Sequence, residues 1–421
     1  MVRVKFYPVK ESIEGAVKAP PSKSYTHRVL FIALLADGES IVEDILISGD
    51  TKATINAVRK FGGKIKNNKK IIGAYELKSP PTLYCRGSGT TIRIALAIAA
   101  LTKGPVLLYG DTTLNRRPMS PLISALGSLG ARILSRNGKP PLAICGFQKP
   151  KSNSVRIDAS ISSQFISALL IIAPMIGLTI ETYGRLKSTP YVDMTLKVME
   201  AFGARYEREG YRFFRVHETG YKPTKFMIPG DFSSASFILA MGALKGKVRV
   251  EGLHVDDVQG DKFILKVLSD MGAKVRVTKD YVEVESSGIL EGIEVDCGNT
   301  PDLVPVIAVL GACAKGITKI YNIEHLAFKE SNRLESIRRN LKQLGVNVRV
   351  RKEEIIIKGC NKLKGARLHS FNDHRIAMAF TIAALVAEGP IEIQGFNRVS
   401  DSYPQFLTHL KSLGVKFEVI K

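Results

Sequence analysis

The stretch DASISSQFISALLIIAPMIG, Asp158 to Gly177, decides how this chain is read. It opens on small hydroxyl-bearing residues, runs into an uncharged apolar segment and stops at a glycine. Serine at the start and glycine just past the end are the signals that bound a helix. The same arrangement is written five more times. PPSKSYTHRVLFIALLADG ends at Gly38, GSGTTIRIALAIAALTKG at Gly104 and GDFSSASFILAMGALKG at Gly246. GNTPDLVPVIAVLGACAKG ends at Gly316 and FNDHRIAMAFTIAALVAEG at Gly389. Successive closing glycines are 66, 73, 69, 70 and 73 residues apart. Spacing of that regularity marks an internal repeat, which has to be settled before anything else is read.

A second series runs out of phase with the first. In it an amphipathic helix gives way to a bulky residue, a glycine and a strand. The six instances are FGGKI (61–65), LGARI (129–133), FGARY (202–206), MGAKV (271–275), LGVNV (344–348) and LGVKF (413–417). The predicted fold class is therefore α/β, with six repeated βαβαββ-type units in two domains of three units each. The first helix of each unit is apolar nearly all round and is expected in the interior. The second, as in Asp261–Met271 (DKFILKVLSDM), is charged on one face and is expected to cover a sheet. Each buried helix brings a positive N-terminal end with unpaired backbone N–H groups. A symmetric arrangement of the copies gathers those ends at an interdomain cleft, where they would bind anions.

At 421 residues the chain exceeds what one core usually serves. From composition alone the break falls in the basic stretch Tyr221–Phe226 (YKPTKF). Lys and Arg number 61 against 39 Asp and Glu, a net charge of +22. That balance raises nucleic acid as a partner. The basic residues are scattered, however, with no arginine-rich segment and no interleaved aromatic platform, so small anionic substrates are the expected partners. The five cysteines, Cys85, Cys145, Cys297, Cys313 and Cys360, are odd in number and contain no CxxC. They fit a reduced cytosolic protein. The start MVRVKFYPV lacks a signal-peptide core. Ile161–Ile180 is long enough to span a membrane, but it holds Ser162, Ser163, Gln164 and Pro174 and fills a recurring slot, so it reads as a core helix. The histidines show no metal-helix spacing, and there is no GxxxxGK loop.

The helix starts are rich in groups that bind phosphate or carboxylate. The first offers Lys23 and Ser24 with Arg28 one turn later, and the second Gly87-Ser88-Gly89-Thr90-Thr91, with Arg116-Arg117 after the next strand. Glycine lets backbone N–H groups approach an anion closely. The third gives Ser162-Ser163-Gln164, then Ser188-Thr189-Pro190-Tyr191. Each alone is also readable as a helix cap. The second half adds Asp302, Lys329, Glu330, Arg333, Asp373, His374 and Arg375. A guanidinium fork matches carboxylate and phosphate geometry, and a carboxylate among cations suits proton transfer beside an anionic substrate. Asp302 reads equally as a helix N-terminal charge, and Lys329-Glu330 as the solvated start of an amphipathic helix. Neighbouring cations would lower the Glu330 pKa, so substrate phosphate or burial would have to raise it before Glu330 could act as an acid.

PSKSYTHR (21–28), SGTTIR (88–93), RRPM (116–119), SISSQF (160–165), STPY (188–191), PD (301–302), KESNR (329–333) and NDHR (372–375) resemble the 5-enolpyruvylshikimate-3-phosphate synthase family over nearly the whole chain. The resemblance implies two three-unit domains that close over the substrates. The first spans 20–229, on the shikimate 3-phosphate side, and the second spans 230–421, completed by the N-terminal strand within 1–19. It implies transfer of the enolpyruvyl group of phosphoenolpyruvate to the 5-hydroxyl of shikimate 3-phosphate, with release of phosphate through a tetrahedral intermediate. No metal or organic cofactor is expected, and the family expectation is a cytoplasmic monomer with no nucleic-acid or membrane partner. By motif, Lys23, Ser24 and Arg28 would hold shikimate phosphate, with Lys23 also touching phosphoenolpyruvate. Ser162, Ser163, Ser188 and Tyr191 would bind the shikimate phosphate, and Gln164 would bridge the substrates. Gly89, Arg117, Arg333 and Arg375 would clamp phosphoenolpyruvate. Asp302 would be the base on the 5-hydroxyl with Lys329 beside it, and Glu330 the proton carrier to the methylene carbon.

The chain departs from the family pattern at Asp401-Ser402-Tyr403-Pro404, where the first residue is usually lysine. Arg398 is the cation expected to compensate. Asn332 stands where aspartate is common. The sister transferase acting on UDP-N-acetylglucosamine differs in its first motif, Lys-Asn, and commonly has a loop cysteine. Gly110–Pro118 (GDTTLNRRP) has none. A relative of RNA-terminal-phosphate enzymes would bind RNA in a salt-dependent way and carry a basic–aromatic triad that is not seen here.

Overall fold

The computed structural model describes residues 2–147, 149–360 and 362–420. The chain divides into two compact units, Met1–Ser22 with Pro229–Lys421, and Lys23–Ile228. Among the described residues there are six four-stranded sheets, three in each unit, all with one strand order. In the sheet built on Thr82–Tyr84, that strand runs parallel to Pro105–Tyr109. Lys139–Cys145 follows antiparallel, and Arg132–Arg136 closes the edge. A parallel pair needs a crossover and an antiparallel pair only a hairpin, so the buried helix Gly89–Ala99 separates Thr82–Tyr84 from Pro105–Tyr109, whereas a tight turn joins Arg132–Arg136 to Lys139–Cys145.

Three sheets borrow a strand from far along the chain. Ile13–Lys18 lies parallel to Gly246–Glu251, and Arg3–Phe6 sits antiparallel between Ile391–Gln394 and Phe417–Ile420. In the other unit Lys225–Met227 completes the sheet of Glu39–Glu43. The chain therefore leaves that unit only after Ile228, beyond the basic stretch.

In the unit Lys23–Ile228 the helices Lys23–Leu35, Gly89–Ala99 and Ser163–Ile172 pack on one another and are buried along almost their whole length. Phe232–Lys245, Val304–Cys313 and His374–Val386 do the same in the other unit. Each triplet sits within its own apolar core. The outer helices are amphipathic, as in Arg333–Gln343, where Leu334, Ile337 and Leu341 face inward.

The second glycine series is a C-terminal cap. Gly62, Gly130, Gly203, Gly272, Gly345 and Gly414 all have φ between 79° and 110°. In all six the next residue's amide returns to the carbonyl five positions earlier, as Ala131 N to Leu126 O at 3.0 Å. That is the helix-ending turn for which a residue without Cβ is selected. The first series behaves differently from its reading as caps. Only Gly246 occupies a helix C-cap, and the other five lie beyond the helix where the next strand enters. At Gly246 a Cβ would come within 2.0 Å of the Ile13 carbonyl oxygen, so the close strand entry is what excludes a side chain. The opening stretch is also shorter as a helix than it reads: the α-helix ends at Ile172, and Pro174 lies in a 3-10 turn, Ala173–Met175.

Candidate active site

In the unit Lys23–Ile228 the starts of the three buried helices carry no acidic residue in their first turns. Cations lie among them instead. Lys23 opens its helix with Nζ 3.0 Å from Asp50, in the first turn of the helix Gly49–Lys60. Arg28, one turn on from Ser24, is 1% exposed. Its Nε donates to Thr195 Oγ1 at 2.8 Å, and its Nη groups donate to the carbonyls of Ser24 and Tyr191 at 2.9 Å each. Burial lowers its pKa to about 10, against the opposing pull of Tyr191 and Tyr25. The charge thus persists at neutral pH, and the side chain ties this helix to Pro190–Ala201.

Ser162 caps the helix Ser163–Ile172, accepting from the Gln164 amide at 3.3 Å, and Ser163 is buried. The Gln164 side chain is fixed at both ends: Arg93 Nη1 donates to its Oε1, and its Nε2 donates to Thr90 Oγ1 at 3.1 Å. Ser188 is buried at φ 60°, beside buried Lys187 and before Tyr191. Left-handed backbone in a non-glycine residue is strained and concentrates at ligand-handling turns.

Arg117 is placed by its loop. Asp111 Oδ1 accepts from the amides of Thr113 and Leu114 at 3.0 Å and from the Thr113 hydroxyl, which folds GDTTLNRRP into a short 3-10 turn. Arg117 then comes to rest against the start of the helix Gly89–Ala99. A Cβ on Gly89 would stand 2.4 Å from Arg117 Nη1 and 3.3 Å from Arg93 Nη1. Gly89→Ala therefore has to displace a guanidinium from the helix start. Where Arg117 serves a substrate anion, the expected result is a rise of about tenfold or more in the KM for that substrate, with thermal stability little changed. Unchanged KM for both substrates would mean that Arg117 does not hold one.

The other unit arranges the opposite chemistry. Arg333, 1% exposed, is a hub for three carboxylates. Its Nε donates to Asp373 Oδ2 at 2.8 Å, Nη1 to Asp302 Oδ1 at 2.7 Å and Nη2 to Glu330 Oε2 at 2.7 Å. Burial works against its charge, and Asp373, Glu330 and Asp302 outweigh it, holding Arg333 firmly protonated. Asp373 uses its other oxygen to cap the helix His374–Val386 through the Arg375 amide. Arg375 Nη2 reaches Asp302 Oδ2 at 3.2 Å. Burial would raise the Asp302 pKa, but Arg375, Arg333 and Lys329 hold it well below the usual carboxylate range despite Glu330. Asp302 and Glu330 keep about a fifth of their side chains exposed, whereas Arg333 beneath them is buried. Asn332 caps the helix Arg333–Gln343 as aspartate would, accepting from the Glu335 amide.

The structure thus brings Asp302, Glu330, Arg333 and Arg375 into one cluster with Lys329 in its field. It also shows Arg333 and Arg375 turned onto carboxylates of their own unit. Arg398 Nη1 lies 3.4 Å from Asp401 Oδ2, so the cation expected to compensate for Asp401 is ion-paired with it.

Three participants escape the motif reading. Arg93 sits within SGTTIR and holds Gln164. Asp231 precedes the helix Phe232–Lys245 and accepts from Ser234 Oγ at 2.7 Å. Asp261, in the turn Gln259-Gly260-Asp261, accepts a hydrogen bond from Ser233 and is buried. Burial first, and then the charge of Asp302, pushes the Asp261 pKa up to about 7. The sequence signal was its place at an outer-helix start, read there as solvent-facing charge.

The sign of the Asp261 effect is fixed. An acid whose folded pKa is raised favours folding when protonated and loses that contribution as pH climbs toward 7. Asparagine imitates the protonated form, so the melting temperature of Asp261→Asn minus that of the parent is expected to grow from pH 5 to pH 8. A difference independent of pH would mean that Asp261 is ionised throughout.

Fold and site define a mixed α/β protein that collects cations at helix starts in one unit and a carboxylate–guanidinium cluster in the other. The family model for EPSP synthase (3-phosphoshikimate 1-carboxyvinyltransferase) matches residues 9–410, and the chain belongs to that family. It is 48% identical to the 3-phosphoshikimate 1-carboxyvinyltransferase of Aeropyrum pernix, over 97% of this chain and 96% of that one. With the enzyme of the same name from Thermococcus kodakarensis the identity is 45%, over 96% and 98%. The EPSP synthase structure from Acinetobacter baumannii superposes with a TM-score of 0.83 at 26% identity, covering all of both chains. Among the described residues no helix is long and apolar enough to cross a membrane.

Proposed function

We propose that this chain transfers the enolpyruvyl group of phosphoenolpyruvate to the 5-hydroxyl of shikimate 3-phosphate and releases inorganic phosphate. The observation that carries the reading is the Asp302–Arg333–Glu330 cluster, in a chain similar over nearly its full length to enzymes of that name. Asp302, ionised and partly exposed, accepts the proton of the 5-hydroxyl as its oxygen attacks C2 of phosphoenolpyruvate. Glu330 delivers a proton to the methylene carbon, giving a tetrahedral intermediate with a methyl group. In the second half the methyl group returns a proton to Glu330, the C2–O bond to phosphate breaks as the leaving phosphate oxygen takes the proton held by Asp302, and the double bond re-forms, which restores both carboxyl groups. The balance closes with side-chain acids and bases alone.

The cationic helix starts of the unit Lys23–Ile228 suit the anions of both substrates. Lys23, Ser24, Arg28, Ser162, Ser163, Ser188 and Tyr191 are assigned to shikimate 3-phosphate, Arg28 acting largely by holding Tyr191 in place. Gly89 and Arg117 are assigned to phosphoenolpyruvate and Gln164 to both. Arg375 and Arg333 serve phosphoenolpyruvate and set Asp302 and Glu330, with Lys329 beside them.

The test is phosphate release on mixing the protein with phosphoenolpyruvate and shikimate 3-phosphate, with UDP-N-acetylglucosamine as the parallel acceptor. Release with shikimate 3-phosphate alone is expected. Release with the nucleotide sugar alone would assign the sister reaction. Release with neither, from folded protein, would make the chain an inactive relative and sink the proposal.

A further inference from the structure

A buried hydroxyl chain runs beneath the start of the helix Gly89–Ala99, and the inference drawn from it rests on the transfer reaction proposed above. Its members come from three helices and one cap: His27, Thr54, Thr91 and Ser88, each no more than 1% exposed. His27 Nδ1 is 2.7 Å from Thr54 Oγ1, which is 2.7 Å from Thr91 Oγ1. Thr91 Oγ1 donates to Ser88 Oγ at 2.8 Å, and Ser88 Oγ also accepts the Thr91 amide at 3.2 Å, which caps the helix.

Counting hydrogens gives the chain one direction. A threonine hydroxyl has a single proton. Thr91 gives its proton to Ser88, so Thr54 must donate to Thr91, and the His27 ring must donate to Thr54 from Nδ1. The other ring nitrogen, Nε2, is buried and has no hydrogen-bond partner among the described residues. A proton there would be an unsatisfied buried donor. Burial, and then the charges of Lys23 and Arg28 on the same helix, also disfavour the imidazolium. His27 is therefore neutral, with its proton on Nδ1.

We propose that His27 is a positioning residue for phosphoenolpyruvate: through Thr54 and Thr91 it fixes the Ser88 cap, and with it the Gly89 turn against which Arg117 lies. None of these hydroxyls needs to touch the substrate. Their effect comes through the orientation of the first turn, where the space between Gly89 and Arg117 leaves no slack. Small misplacement of a clamping group costs rate and affinity out of proportion to its distance.

Two substitutions interrupt the chain at different links, Thr54→Val with nearly unchanged shape and His27→Leu. Each is expected to raise the KM for phosphoenolpyruvate about tenfold, the scale of one lost buried hydrogen bond. The KM for shikimate 3-phosphate should stay within about threefold, and Thr54→Ser should restore the parent values, as expected for a lost hydroxyl rather than a lost fold. Nitrogen-15 NMR of histidine-labelled parent protein should report His27 with its proton on Nδ1. Phosphoenolpyruvate KM values within about threefold of the parent in Thr54→Val would overturn the proposal, whether or not His27→Leu folds. Equal rises for both substrates would overturn it too, since a general loosening predicts them. A proton on Nε2 would reverse the chain and refute it even if the parent protein showed no turnover, an outcome that would count separately against the transfer reading.

Discussion

Replacing Arg333 by methionine is expected to lower kcat/KM by about a thousandfold or more and to destabilise its unit by about 3–5 kcal/mol. The size follows from what the guanidinium holds. Three carboxylates converge on it within 2.8 Å, and one of them, Asp373, has no exposed side-chain surface. With the cation gone, Asp373 is a buried charge facing Asp302 and Glu330, and it can relax only by protonation or by local opening. Either response moves the cap of the helix His374–Val386, and with it Arg375. Methionine fills much of the volume, so the loss is electrostatic more than a cavity effect. Arg333→Lys separates the two contributions. It keeps the charge but offers a point donor where a planar fork reaches three partners. Much of the stability should return, with activity still down by at least about tenfold. Urea unfolding and steady-state rates on the same preparations read both. Near-parent activity in the methionine variant would show that Asp302 and Glu330 do not depend on Arg333 for their placement.

The legible part of the fold was what depends on periodicity and on backbone-restricted residues. Six glycines with positive φ mark where outer helices end, and apolar runs mark the helices that lie inside. What stayed hidden was set by distant chain meeting chain. The glycine at 246 caps its helix as the sequence suggests, yet what excludes a side chain there is Ile13, more than two hundred residues away. The grouping of Asp302, Glu330, Arg333 and Arg375 was visible as a set of motifs, because helix starts are short contiguous segments. That Arg333 would spend its fork on three carboxylates was not, since sequence shows which charges exist and not which ones face each other. Asp261 and His27 are the sharper cases. One looks like an ordinary charge at an outer helix and the other like a neighbour of Arg28. Each acquires its character from partners on other elements, Ser233 and Asp302 for Asp261, and Thr54 and Thr91 for His27.

Asp302→Asn is expected to reduce kcat by a factor of about 10² to 10⁴ while moving both KM values far less. Asparagine keeps the shape and can still accept from Arg333, so substrate contacts should survive. What disappears is a group able to take the hydroxyl proton. The environment argues that Asp302 works as a persistently ionised base. Burial alone would raise its pKa, but Arg375, Arg333 and Lys329 hold it well below the carboxylate range. A depressed acid stays charged as pH falls through the range where ordinary carboxylates protonate, and the stability it adds is lost only on the acid side of that range. The parent enzyme should therefore lose no activity between pH 7 and pH 5 through Asp302, and a fall in that window must come from another group. Asp261, raised to about 7, is the candidate within the same cluster. Measuring the pH–rate profile of the parent, Asp302→Asn and Asp261→Asn separates them. A limb near pH 7 that vanishes only in Asp261→Asn assigns it to Asp261. A limb that vanishes in Asp302→Asn would mean that Asp302 is far more basic than its two guanidinium partners allow. A kcat loss under about tenfold in Asp302→Asn would place proton acceptance elsewhere. The low basicity of Asp302 also says how the transfer has to work. A carboxylate so well compensated is a weak acceptor at rest, so the hydroxyl proton should move only as C2 is attacked and the alcohol becomes acidic.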